Sequence, residues 1–220
     1  MKWSLRVPKN ILRAVLYLLP GIILVLVAAA WISPAWWDPA KVDDPDAVER
    51  ASAFEQQISS KVHRIRTESK PWGFKVDETL VNEWLATRLP RWIEHDEDLD
   101  WPPSISRVQV HFAPGILEVA GQGTAGLVWR ARFSIAMGDG ELAFTPISAG
   151  VGSIPIVGAG LKGLLNVVPK GVLDQDGVIT VPTEIPLVDG RTLRLEDVEV
   201  TNGGLAVLFL TEARGEVSQK

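Results

Sequence analysis

The stretch Arg107-Val108-Gln109-Val110-His111-Phe112-Ala113-Pro114-Gly115-Ile116-Leu117-Glu118-Val119 decides the fold. Val108, Val110 and Phe112 recur every second residue, Pro114-Gly115 turns the chain, and Leu117 and Val119 resume the alternation. A period of two sends one row of side chains to a core and the other to solvent, so the stretch reads as an antiparallel hairpin. The pattern continues downstream. A long strand is expected over Leu127 to Met137, with Val128, Arg130, Arg132 and Ser134 opposite Leu127, Trp129, Phe133 and Ile135. Gly138-Asp139-Gly140 turns it into a strand over Glu141 to Ile147. Val178 to Val181, Thr192 to Val200 and Leu205 to Thr211 read as further strands, with turns at Asp189-Gly190 and Asn202-Gly203-Gly204. The Gly-rich apolar segment Ala149 to Gly171 is expected to hold a short helix near Gly160 to Val167.

Upstream, the period is helical. In Ala47 to Arg66, the residues Val48, Ala51, Phe54, Ile58, Val62 and Ile65 recur at spacings of three and four, and Asp46 is the expected N-cap. A second helix follows, with Asp77 as its expected cap, and presents Leu80, Val81, Trp84, Leu85, Leu89 and Trp92 on one face, with Pro90 ending or kinking it. Helices that precede a block of strands argue for an α+β fold rather than an alternating α/β one.

The N-terminus reads as a membrane anchor. Lys2, Arg6, Lys9 and Arg13 precede a span from Ala14 to Trp37 that carries no charge. About 20 apolar residues cross a hydrocarbon core of about 30 Å, and basic residues stay on the cytoplasmic side. Ala14, Leu18, Ile22 and Leu26 would face lipid, and Trp31, Trp36 and Trp37 would sit at the far interface. The alternative is a signal peptide cleaved after Ala30, since Ala28-Ala29-Ala30 offers an A-x-A site. Either way the remainder is exported. The expected organisation is a cytoplasmic stub and transmembrane helix over 1–32 and a Pro/Trp-rich juxtamembrane collar over 33–46. An extracytoplasmic α+β domain over 47–213 and a disordered tail over 214–220 complete it. The expected localisation is the cell membrane, single-pass, with a cytoplasmic N-terminus and a periplasmic domain.

Composition narrows the function. The four early cations leave 18 of 22 basic residues for the remainder, against all 27 acids, a net charge of −9. An acidic domain repels phosphate backbones, so no nucleic-acid partner is expected. There is no cysteine, hence no disulfide framework.

The motifs with chemical associations fail on context. Gly158-Ala159-Gly160-Leu161-Lys162-Gly163 matches G-x-G-x-x-G, but a dinucleotide site needs a βαβ unit and this one sits among hairpins. Asp96, Asp98 and Asp100 mimic the start of a calcium loop, yet Trp101 and Arg107 stand where the turn glycine and bidentate glutamate belong. His63, His95 and His111 form no zinc motif, and Ser153 lies in no nucleophile elbow. No cofactor and no metal site are expected. Arg130 and Arg132 read as the exposed side of a strand, with a grip on a ligand headgroup as the alternative.

The segment Phe74-Lys75-Val76-Asp77-Glu78-Thr79-Leu80-Val81-Asn82-Glu83-Trp84-Leu85-Ala86, followed by Val-x-Val … Gly-x-Leu-x-Val hairpins, resembles membrane-anchored bacterial envelope proteins of the YpmS-like and AsmA-like group. The resemblance covers about residues 50 to 211. Val81-Asn82 stands where Leu-Asn is usual. It implies a sheet wrapped around a helix and a role in holding lipid, and it carries over no catalytic residue.

The resulting expectation is an α+β fold: one N-terminal transmembrane helix, then two amphipathic helices packed on a curved antiparallel sheet of long hairpins. The expected function is non-enzymatic binding of a lipid or other apolar ligand between helices and sheet. Trp84, Leu85, Trp92, Trp129, Phe133, Ile156, Leu161, Leu164 and Leu165 are the expected lining. The alternatives are an assembly partner of an envelope protein complex and an exported hydrolase without a recognisable motif. The expected partners are the bilayer and either a lipid ligand or an envelope protein.

Overall fold

The computed structural model describes residues 21–66, 70–95, 101, 105–138, 140–156 and 177–212. Helix α1 spans Pro45–His63, α2 Glu78–Thr87 and α3 Leu89–His95. The α1 cap lies two residues before the expected one. Asp44 is the N-cap, its carboxylate accepts from the Asp46 N–H, and Pro45 occupies the first turn, where a missing N–H costs nothing. Asp77 caps α2 as its sequence implies, accepting from the Thr79 N–H at 2.8 Å. Pro90 accompanies a kink, one of the two expected outcomes. The chain breaks at Arg88 and restarts as α3 with Pro90 in its first turn.

The strands among the described residues are β1 Trp72–Asp77, β2 Arg107–Ala113, β3 Ile116–Gln122, β4 Val128–Gly138, β5 Glu141–Val151, β6 Ile154–Ile156, β7 Ile179–Pro182, β8 Glu184–Pro186, β9 Thr192–Thr201 and β10 Gly204–Glu212. They do not form the single expected sheet. The larger sheet runs β2-β3-β4-β5-β6, with β7 also on β5, and the smaller runs β1-β10-β9-β8; every pairing is antiparallel. The cause is β1. The extended lead-in to α2 pairs with the C-terminal strand, Trp72 opposite Phe209 and Asp77 opposite Gly204. That pairing draws the last hairpin out of the meander and gives it a sheet of its own.

The sheets are fastened at both ends. At one end two hairpin tips interlock: the Gly115 N–H donates to Val200 O, and the Gly203 N–H donates to Phe112 O. Gly203 O then accepts the Glu78 N–H at the start of α2, and the φ of +71° at Gly203 is one that side-chain-bearing residues rarely adopt. At the other end the chain crosses between sheets at Thr183, which separates β7 from β8. Its N–H and hydroxyl both donate to Gly140 O in the larger sheet, and its carbonyl accepts from the Leu195 N–H in the smaller.

The expected transmembrane helix is also corrected. Among the described residues no helix is long and apolar enough to cross a membrane. Helical residues are described over 21–30. Ala14 and Leu18 lie outside the described residues. The segment ends where Trp31 and Ile32 close back on Ala28 O and Ala29 O, and Ser153 donates to Ala29 O through both its N–H and its hydroxyl. This end sits so close to the β5–β6 turn that a Cβ on Gly152 would fall 2.2 Å from Ala30 O. The single-pass, signal-anchored placement with a periplasmic domain is therefore not supported.

Candidate functional site

The two sheets face each other across an apolar cleft of about 350 Å³. Alternation builds its walls. From the larger sheet, β2 contributes Val110 and Phe112, and β5 contributes Leu142 and Phe144. From the smaller, β10 contributes Leu205, Val207 and Phe209. On β9 the lining residues Leu195 and Val198 are three apart. A bulge reconciles this: Phe209 pairs with Leu195 and Leu208 with Asp197, so Glu196 is the extra residue that returns Val198 to the inner face. Helix α2 contributes Val81 alone. Thr183 is the one polar lining residue, and its hydroxyl is committed to Gly140 O.

The cleft is not filled by its own walls. Phe112, Leu142 and Phe209 are buried, whereas Val110, Leu117, Ile135, Phe144, Leu195, Val198, Leu205 and Val207 are only half-buried. Val181 and Ile185, on β7 and β8, are 43% and 46% exposed and mark the rim. Close-packed interiors leave few voids larger than a water molecule, so an apolar space of this size is unusual for a packed core.

At one end, aromatic rings link the cleft to cations. The Phe209 ring lies 5.3 Å from Trp72 and 6.0 Å from Phe74. Trp72 is fixed by an Nε1–H donated to Thr211 Oγ1. The Arg66 guanidinium stacks 3.4 Å over Trp72, and Lys61 Nζ sits 5.2 Å over Phe74. Arg66 also donates to Lys61 O and Arg64 O, beyond the last turn of α1. Arg191, from the turn between β8 and β9, donates to His63 O and Arg64 O and forms an ion pair with Asp189. Burial, and then the charges of Arg64 and Arg191, hold the Arg66 pKa below its ordinary value.

A polar network occupies the opposite side of the larger sheet and its β2 edge. Asn82 donates to Val110 O and accepts from the Val110 N–H, so its amide replaces a neighbouring strand. Glu78, one turn earlier, accepts from the Phe112 N–H and contacts His111 Nδ1. Glu83 accepts a forked pair from Arg50 of α1, and Arg88 pairs with Glu55. Gln109 brackets the collar, donating to Trp36 O and accepting the Asp38 N–H. Trp36 donates Nε1–H to Glu118 and stacks on His111. Arg132 Nε lies 2.7 Å from Glu118 Oε1, an ion pair whose N–H is not aimed along the contact. Arg132 therefore belongs to the collar face, away from the cleft.

The described residues among those expected from the sequence are not in the lining of this cleft, although Phe133 lies opposite its lining residue Leu117. Trp84 and Trp92 meet edge to face, 5.7 Å apart, on α2 and α3. Leu85 lines a separate groove of about 210 Å³ between the collar, the two helices and the start of β2. Trp129, 41% exposed, lies over Gly123, where a Cβ would meet its Nε1 at 2.7 Å. Phe133 pairs with Leu117 and Pro146, and Ile156 with Ala149. Leu161, Leu164 and Leu165 lie outside the described residues. Of the expected anchor residues, Ile22, Leu26 and Trp31 are exposed, and Trp37 packs edge-on against Trp36. Of the cleft-lining residues, Val110, Phe112, Leu117 and Ile135 were visible in the sequence as alternating strand positions. What it lacked was any sign that two such rows face each other.

Among the described residues no group of three or more His, Cys, Asp and Glu side chains is placed to hold a metal ion. No protein-family model, curated protein or solved structure matches this chain.

Proposed function

We propose that this protein is a non-enzymatic binding module that takes an apolar, lipid-like chain into the cleft between its two sheets. The observation that carries the reading is the cleft itself: about 350 Å³, within the roughly 300–1,000 Å³ typical of ligand pockets, walled by aliphatic and aromatic side chains most of which are only half-buried. The reading moves the ligand from between helices and sheet to between the sheets. Native mass spectrometry of the purified protein should show apolar adducts. The variant Val207→Trp, which places an indole in the space, should lack them. A wild-type protein that carries no adduct and takes up no fluorescent apolar probe would sink the proposal.

One observation favours a second reading, an assembly partner of another protein. The consecutive side chains Ile22, Ile23, Leu24, Val25, Leu26 and Val27 are all about half-exposed or more. Apolar surface of that extent marks contact sites. Site-specific crosslinking from position 24 to one defined protein in cells would favour it, and a diffuse pattern would reject it.

A further inference from the structure

We infer that the cleft's ligand is an anionic amphipath, with its tail between the sheets and its carboxylate or phosphate headgroup held by Lys61, Arg64, Arg66 and Arg191. This rests on the apolar-cleft reading and adds the headgroup chemistry to it.

Two routes bring the cations to the cleft. Ile185 on the rim belongs to β8, and the turn that follows β8 carries Arg191. On the other side, Phe209 in the cleft wall touches Trp72, and Arg66 lies directly on that indole. The end of α1 joins the two routes, because Arg191 donates to the carbonyls of His63 and Arg64 and Arg66 donates to those of Lys61 and Arg64. Four cations thus gather where, among the described residues, Asp189 is the one carboxylate in an ion pair with them. The chain carries more acid than base, so this local excess runs against its overall charge.

Like charges held together repel, and the arrangement needs a compensating anion to relax. The lowered pKa of Arg66, set by burial and by Arg64 and Arg191, is one sign of that repulsion. Donor capacity also remains. A guanidinium has five N–H groups, and the described contacts of Arg66 use two. Arg64 and its neighbour Ile65 are exposed, Ile65 at 79%, so a headgroup arriving from solvent meets charge and apolar surface together. Planar guanidiniums match carboxylate and phosphate oxygens in a way that neutral headgroups cannot use.

The test titrates the full chain with dodecanoate, dodecyl phosphate and dodecanol, each displacing a fluorescent apolar probe at low salt. At least one of the anions should bind about tenfold tighter than dodecanol, equivalent to about 1.4 kcal/mol. Which anion gains more separates a carboxylate from a phosphate headgroup. Arg64→Gln, on an exposed side chain, and Arg66→Gln should each narrow the preference of the anions over dodecanol by about threefold or more. Salt should narrow it as well. Equal affinity for dodecanol and both anions overturns the headgroup assignment while the cleft reading stands. A preference that survives both substitutions overturns it too, since the cations would lie elsewhere. No binding by any of the three overturns the cleft reading as well.

Discussion

The cleft and the collar face invert the usual distribution of burial. Along the β2 edge and the collar face, Asn82, Glu83, Gln109 and Glu118 are 9%, 5%, 6% and 7% exposed. Across the sheet, the apolar residues Val110, Leu117, Val207 and Leu205 are more accessible than these polar ones. Polar side chains are normally the exposed class and aliphatic ones the buried class. The inversion separates two tasks. Directed hydrogen bonds on one side fix how the helices and the collar seat on the sheet, because each bond has one geometry. Non-directional apolar contact on the other side is left incomplete, which leaves an open volume.

The largest expected effect falls on the polar side. Asn82→Ala removes both bonds to Val110 and leaves its N–H and C=O facing α2 without partners. Each buried unpaired group costs about 1–3 kcal/mol, so the loss should be about 2–4 kcal/mol in urea unfolding at unchanged m-value. Cleft substitutions are expected to be milder. Val207→Ala deletes half-buried methyl groups beside space that is already open, and it should cost about 1 kcal/mol or less while enlarging the ligand volume. If the Val207 change proves as costly as the Asn82 change, the cleft is packed core and the comparison fails.

Local chemistry was legible in the sequence, and long-range pairing was not. Asp77 announced its cap because the signal lies within two residues of the N–H it serves. The alternation in β2 through β5 announced strands for the same reason. The union of β1 with β10 joins Trp72 to Phe209 across most of the chain, and no local pattern encodes it. With that pairing unseen, one sheet was the natural inference, and the cleft had no second wall. Trp84 and Trp92 line one helical face in the sequence, and across the break at Arg88 they meet edge to face. Asn82 looked like one position in a helix, and only β2 beside it reveals an amide acting as a strand.

The smallest effect concerns the charge balance at the cleft's cationic end and is read by pH. Asp189 lies below its ordinary carboxylate range, first because Arg191 donates side-chain hydrogen bonds to it, then through the Arg191 backbone N–H. A depressed folded-state pKa means that the stabilisation is fully present above the unfolded value of about 3.9 and is lost as pH falls through the folded value. The wild type should therefore exceed Asp189→Asn in urea midpoint at pH 6, and the gap should close below about pH 3.9. The side chain is half-exposed, so the gap should be small. The same substitution removes the carboxylate that shares Arg191 with an incoming anion. Asp189→Asn should thus lose stability at pH 6 and yet bind dodecanoate more tightly, and losing both would mean that Asp189 orients Arg191 rather than competing for it.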